Sequence, residues 1–172
     1  MIDLDSLFNL SYGMCIVSSK KEDKFNGCVV NTVFQITPEP PMVAISVNRE
    51  NLTWDYIKES GVFAVSILSE ETPTLLTGKF GFRSGRDFNK FEEVEHKIGK
   101  TGCPIVTSSA VGFIEAQVTD SIDVETHTIF IGEIVACQHL CDDKHPMTYN
   151  YYRDIKSGRT PRTAATYHKA KE

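Results

Sequence analysis

The sequence predicts a mainly β protein, a closed or nearly closed antiparallel barrel with short flanking helices. Roughly seven short runs rich in β-branched and aromatic residues are separated by frequent turn signals. The stretch from Asn26 to Trp54 reads strand, proline break, strand, polar corner, helix. No alternating βαβα order appears, which excludes a Rossmann domain.

Taken in order, Leu4 to Leu10 suits a short amphipathic helix or an arm, and Met14 to Ser18 a strand. Lys20 to Asn26 reads as a polar turn ending at Gly27, so the strands on either side form a hairpin. Val29 to Thr37 has strand composition, and Met42 to Val47 is a second apolar run. Between them Pro38, Pro40 and Pro41 interrupt the ladder, because proline has no N–H to donate. Thr53 is placed to cap a helix through Glu59, with Gly61 just past its end and Trp54 and Ile57 on its inner face. Val62 to Leu68 is another strand. Glu70 to Thr77 reads as a second helix with Pro73 in its first turn, and Gly78 to Phe91 as a loop. Val94 to Cys103 is polar, with turns at Gly99 and Gly102. Val111 to Val124 is a long strand with Ile114, Ala116, Val118, Ile122 and Val124 on one face at period two. His127 and Thr128 form the corner before a strand from Ile129 to Cys137. After a turn at Asp142 to His145, Pro146 to Asp154 suits a short helix. From Ile155 the chain is polar and basic, an extended tail that frays unless it lies on a partner surface.

With 172 residues, one domain with a real core is expected. A net charge of −5 argues against nucleic-acid and anionic-membrane partners. No apolar run approaches the ~20 residues that span a bilayer. The acidic start MIDLDSLFNL lacks a signal peptide's basic region, and five cysteines at irregular spacing suit free thiols. The expected compartment is the reducing cytoplasm.

The polar corner holds most of the chemistry. Ser46, Asn48, Arg49, Asn51 and Thr53 gather hydroxyls, amides and a guanidinium at a helix start, a combination suited to phosphate. The Gly78–Phe91 loop interleaves two arginines and two lysines with four phenylalanines. Two readings stand side by side: a grip on a planar anion, or a surface turn whose phenylalanines plug the core. His127 at a strand corner is functional only where that corner faces a ligand. Cys137-Gln138-His139-Leu140-Cys141 lacks a second pair at zinc spacing, so no metal site is expected. No P-loop, nucleophile elbow or glycosidase-like carboxylate pair is present.

Four stretches, NGCVVNTVFQITPEPPMVAISVNRENLTWDYIKESGVFAVSIL, LLTGKFGFRSGRDFNKF, ETHTIFIGEIV and IKSGRTPRTAATY, resemble the flavin reductase-like, FMN-binding split-barrel family. More narrowly, they are similar to flavoredoxins and the flavin-reductase portion of high-molecular-weight rubredoxins. The resemblance covers nearly the whole chain. It implies a Greek-key split β-barrel homodimer holding FMN near the subunit interface, with residues 1–154 as the FMN-binding domain and 155–172 as a C-terminal tail. Asn31, Thr32, Val33 and Phe34 would line the isoalloxazine and its ribityl edge. Ser46, Asn48, Arg49, Asn51 and Thr53 would hold the ribityl hydroxyls and phosphate. Lys90 and Phe91 would close the site, and His127 would approach the flavin ring or the nicotinamide of NADH or NADPH. The sequence contains no two CxxC pairs, so a rubredoxin-like or other redox acceptor would be a separate protein. The implied activity is electron transfer from NAD(P)H to flavin or a downstream acceptor. Alternatives are an FMN-binding electron carrier with no nicotinamide site, a flavin-free barrel that binds another phosphorylated ligand or a protein, and a pyridoxamine-phosphate-type oxidase, whose substrate-phosphate residues are not seen here.

Overall fold

A computed structural model describes residues 2–167. A 3-10 turn, Leu4–Asn9, precedes β1 (Cys15–Lys21) and β2 (Lys24–Val30). Next come β3 (Val33–Pro38), β4 (Pro41–Asn48), α1 (Leu52–Ser60), β5 (Val62–Leu68) and α2 (Thr74–Phe82). The chain continues through β6 (His96–Ile98), β7 (Pro104–Val106), β8 (Ala110–Val124), β9 (His127–His139) and α3 (Tyr149–Asp154). Seven strands form one antiparallel sheet in the order β2-β1-β5-β8-β9-β4-β3, and β6 and β7 form a small hairpin of their own.

The link between the edge strands shows why the sheet curls. β2 and β3 stand at opposite edges, yet only Asn31 and Thr32 connect them. Three residue steps reach about 11 Å at most, so the two edges must meet at this corner. The link is stitched to β4: the Ser46 amide donates to the Thr32 carbonyl at 3.1 Å, and the Thr32 hydroxyl donates to the Ser46 carbonyl at 3.1 Å. The barrel interior follows from the alternation of the strands. Cys15 and Val17, Cys28 and Val30, Val43, Ile45 and Val47, Phe63 and Val65, Ala116 and Phe130 form one buried cluster. A second cluster lies on the outer face of β1, where Met14, Ile16 and Leu68 meet Phe80, Phe91, Tyr149 and Tyr152.

Several expected boundaries shift. Val29 to Thr37 is not one strand, because the chain changes edges at Asn31–Thr32. The Lys20–Asn26 turn shrinks to Glu22–Asp23, with Gly27 inside β2 facing Ser18. α2 starts after Pro73 and runs through Gly78 to Phe82, inside the stretch expected to be loop. β6 and β7 flank a turn at Gly99–Gly102 that seats the buried Glu115 carboxylate, which accepts from Lys100 N at 3.0 Å and Thr101 N at 2.8 Å. Thr53 is not the helix cap. Asn51 holds that position and makes no side-chain capping bond, while Gly61 ends α1 at φ 67°. The apolar face of β8 divides at an irregularity between Val118 and Asp120: Ile114, Ala116 and Val118 join the core, whereas Ile122 and Val124 are exposed.

Candidate functional site

The β4–β9 register creates the site. Asn48, the last residue of β4, pairs with His127, the first of β9, and Ser46 pairs with Ile129. The turn after β4 is fixed locally: Asn48 Oδ1 accepts from Glu50 N at 2.9 Å, and Arg49 N donates to the Thr126 carbonyl at 2.9 Å. Ser46, Asn48 and His127 thereby face one cleft of about 750 Å³.

The opposite wall is the tail. It does not hang free but folds back over its own barrel. The Tyr152 hydroxyl donates to the Arg159 carbonyl at 3.1 Å, and the Tyr149 and Thr160 hydroxyls are bonded at 2.7 Å. Asn31 Nδ2 donates to Thr166 Oγ1 at 2.7 Å. This path brings Arg162, Ala164 and Tyr167 into the cleft beside His127. Sequence reasoning missed these tail residues; the tyrosines of Tyr149–Tyr152, which pin the tail, were its visible signal.

His127 is the chemically distinctive group of the cleft. Its Nδ1 is bonded to the Thr126 hydroxyl at 2.8 Å. Its Nε2 is buried and has no hydrogen-bond partner among the described residues. Burial pushes the ring's pKa below the ordinary 6.5, and the backbone of Thr163, on the tail lying against the ring, opposes this. The imidazole is therefore neutral near pH 7. A buried ring nitrogen that meets no hydrogen-bond criterion is uncommon, and this one sits at the edge of the cleft beside the tail.

The other expected site residues divide. Thr32 is tied to β4, Val33 packs against the core, and Phe34 stands 55% exposed on the β3 edge. Arg49 is exposed and its guanidinium donates to the Glu125 carbonyl. Asn51 leaves the first turn of α1 without a side-chain cap, so that end of the helix retains its capacity for an anion. Thr53 is buried, and its hydroxyl donates to Asn26 Oδ1 at 2.8 Å rather than facing the cleft.

Lys90 and Phe91, expected to close the site from the loop, are buried in the core instead. Lys90 Nζ donates to the carbonyls of Gly27 at 2.9 Å and Phe80 at 3.1 Å. Its burial lowers its pKa, an effect opposed by the nearby Cys28 thiol. Phe91 meets Phe80 and His96 edge-on at 5.2 and 5.1 Å. Of the two readings of the basic aromatic loop, the core-plugging one describes Phe80 and Phe91. The loop's cations have local partners: Arg86 pairs with Asp55 at 2.9 Å, Lys79 with the Glu92 carbonyl, and Arg83 lies over the Phe88 ring at 4.6 Å. The loop backbone rests on β2 at Gly85, where a Cβ would fall 1.7 Å from Asn26 Nδ2. No metal-holding group of His, Cys, Asp or Glu occurs among the described residues, and none of their helices is long and apolar enough to cross a membrane.

The sequence profile of the flavin reductase like domain matches residues 7–157. The chain belongs to the flavin reductase-like family. It is 46% identical over 170 residues to a ferric-chelate reductase (NAD(P)H) of Archaeoglobus fulgidus, covering 99% of this chain and 100% of that one. It is 42% identical over 166 residues to a high molecular weight rubredoxin of Moorella thermoacetica, covering 96% of this chain and 72% of the relative. Among solved structures, the flavin reductase HpaC complexed with NADP+ superposes with a TM-score of 0.73 at 28% identity, covering 85% of this chain and 90% of that one. In this chain the β4–β9 corner carries an imidazole with one unpartnered nitrogen, next to a helix start without a side-chain cap.

Proposed function

We propose that this protein is an NAD(P)H-dependent flavin reductase that holds FMN at the β4–α1 corner and receives the nicotinamide in the cleft at His127. The observation that carries the reading is the buried, unpartnered Nε2 of His127 in a cleft walled by Ser46 and Asn48, on a chain of this family. The residues suit FMN at both ends. The cleft has the size of a cofactor pocket. The uncapped start of α1, with Arg49 adjacent, suits a phosphate.

Asn31, Thr32, Val33 and Phe34 would line the ring and ribityl edge, and Ser46, Asn48, Arg49 and Asn51 would hold ribityl hydroxyls and phosphate. Thr53 and Lys90 instead brace β2 and α2 through Asn26, Gly27 and Phe80, and Phe91 packs on the Phe80 ring. Bound FMN supplies the redox chemistry, taking a hydride from NAD(P)H and passing electrons on. The protein's own part is orientation: the cleft brings a nicotinamide to a fixed wall, and neutral His127 offers it a hydrogen-bonding nitrogen.

The pairing with a high molecular weight rubredoxin supports a redox-protein acceptor, and the pairing with a ferric-chelate reductase supports a ferric chelate. The assembly proposed is a homodimer. The tail is read as part of the site through Arg162, Ala164 and Tyr167. A flavin carrier with no nicotinamide site shares the FMN residues but not the role of the cleft. Steady-state oxidation of NADH and NADPH with FMN or ferric–EDTA as acceptor separates the two. Turnover supports the reductase, whereas FMN binding without nicotinamide oxidation leaves only the carrier.

A further inference from the structure

We propose that Arg162, on the folded-back tail, recognises a phosphate group of the nicotinamide dinucleotide. This rests on the reading of the cleft at His127 as the nicotinamide site. Among the residues lining that cleft, Arg162 alone carries a permanent positive charge, and Glu50 is its only carboxylate. An anionic dinucleotide entering there needs a cation, and no other Lys or Arg lines this cleft; Arg86 is paired with Asp55 and Lys90 lies in the core. Arg162 is exposed, and its guanidinium has no ion pair or hydrogen bond among the described residues.

The arginine is also held in place. Before it, Tyr152 and Tyr149 fix Arg159 and Thr160; after it, Asn31 fixes Thr166. Between them, Ala164 N donates to the Pro161 carbonyl at 3.0 Å and closes a turn around Arg162. A planar fork on a pinned backbone loses little freedom on binding, and phosphate matches its geometry. Either the 2′-phosphate of NADPH or the diphosphate common to both dinucleotides presents that chemistry.

The test is calorimetric titration of FMN-loaded protein with NADP+ and with NAD+, which bind without turnover, at two salt concentrations. Arg162→Gln is expected to weaken binding by about tenfold or more, the effect of losing one charge-assisted hydrogen bond. The variant's salt dependence should be shallower than that of the wild type. Arg162→Lys should recover part of the loss, while FMN affinity and Tm remain at wild-type values. Lys97→Gln is the charge control, since Lys97 contacts Gln138 at the far end of β9. Weakening confined to NADP+ assigns the 2′-phosphate, and equal weakening of both assigns the diphosphate; either supports the proposal. Titrations in Arg162→Gln that match the Lys97→Gln control, or a loss of FMN in place of nucleotide, overturn it. Wild-type protein that binds neither nucleotide overturns the reading of the cleft itself, a distinct result.

Discussion

The two side chains on which most depends differ in what holds them. His127 is oriented from one side only, by the Thr126 hydroxyl, and its other nitrogen is buried without a partner. His127→Asn should therefore slow reduction of bound FMN by NADPH about tenfold, the effect of one neutral hydrogen bond. FMN affinity should barely move. Stopped-flow reduction and a flavin fluorescence titration read the two separately. The same ring gives a pH signature. Its folded-state pKa lies below the ordinary 6.5 because burial disfavours the charged form. Above that pH both folded and unfolded states are neutral, so the group makes no difference. As pH falls through 6.5 the unfolded chain takes up the proton more readily, and stability is lost. Urea unfolding at pH 7.5 and 5.5 should show a smaller acid loss in His127→Asn than in wild type. Arg49 is different: it is exposed and bonded to a carbonyl. Arg49→Ala should weaken FMN binding about ten- to a hundredfold, while costing less than about 1 kcal/mol of folding stability. Unchanged FMN affinity would remove the phosphate assignment.

At the scale of elements, the corner between β4 and β9 was legible because its parts are chemically loud. Prolines break the ladder, an abrupt run of hydroxyls and amides follows, and a glycine ends α1. Trp54 ties this corner to β9, donating from Nε1 to the Thr128 hydroxyl at 2.8 Å while its ring packs against the core. Trp54→Ala should cost about 3 kcal/mol, the low end for an aromatic truncation because the ring is only partly buried; urea denaturation measures it. Other elements were illegible for physical reasons. Val29 to Thr37 has strand composition on both sides of Asn31–Thr32, and nothing local announces that this link carries the chain from one sheet edge to the other. α2 contains Gly78 and Gly81, which weaken its local helix signal, and it is held by Phe80 in the core. Lys90 reads as a surface cation, and only tertiary structure brings two carbonyls to it. The tail's hydrogen bond to Asn31 is likewise long-range, and its nearer bonds to Tyr149 and Tyr152 are the only local trace of its place in the cleft among the described residues.

For the whole molecule, barrel closure through the two-residue link gathers one rim from β4, β9 and the tail. The mainly β class and barrel architecture were readable from strand composition and turn spacing; the division of the polar residues between cleft and core was not. The barrel also leaves an apolar surface: Phe34 and Ile36 on β3, and Ile122 and Val124 on β8, are exposed. In the proposed homodimer these residues would lie at the interface. Phe34→Asp combined with Ile122→Asp should shift sedimentation from dimer to monomer and lower FMN affinity; wild-type protein that sediments as a monomer contradicts the assembly. The most direct measurement of the whole account is an anaerobic titration of FMN-loaded protein with NADPH or NADH, followed by visible absorbance. The account predicts a yellow protein whose flavin absorbance bleaches with about one nicotinamide per bound flavin, as a two-electron hydride donor requires. A protein that binds no added FMN, or one whose bound flavin stays oxidised with both nicotinamides, would contradict it.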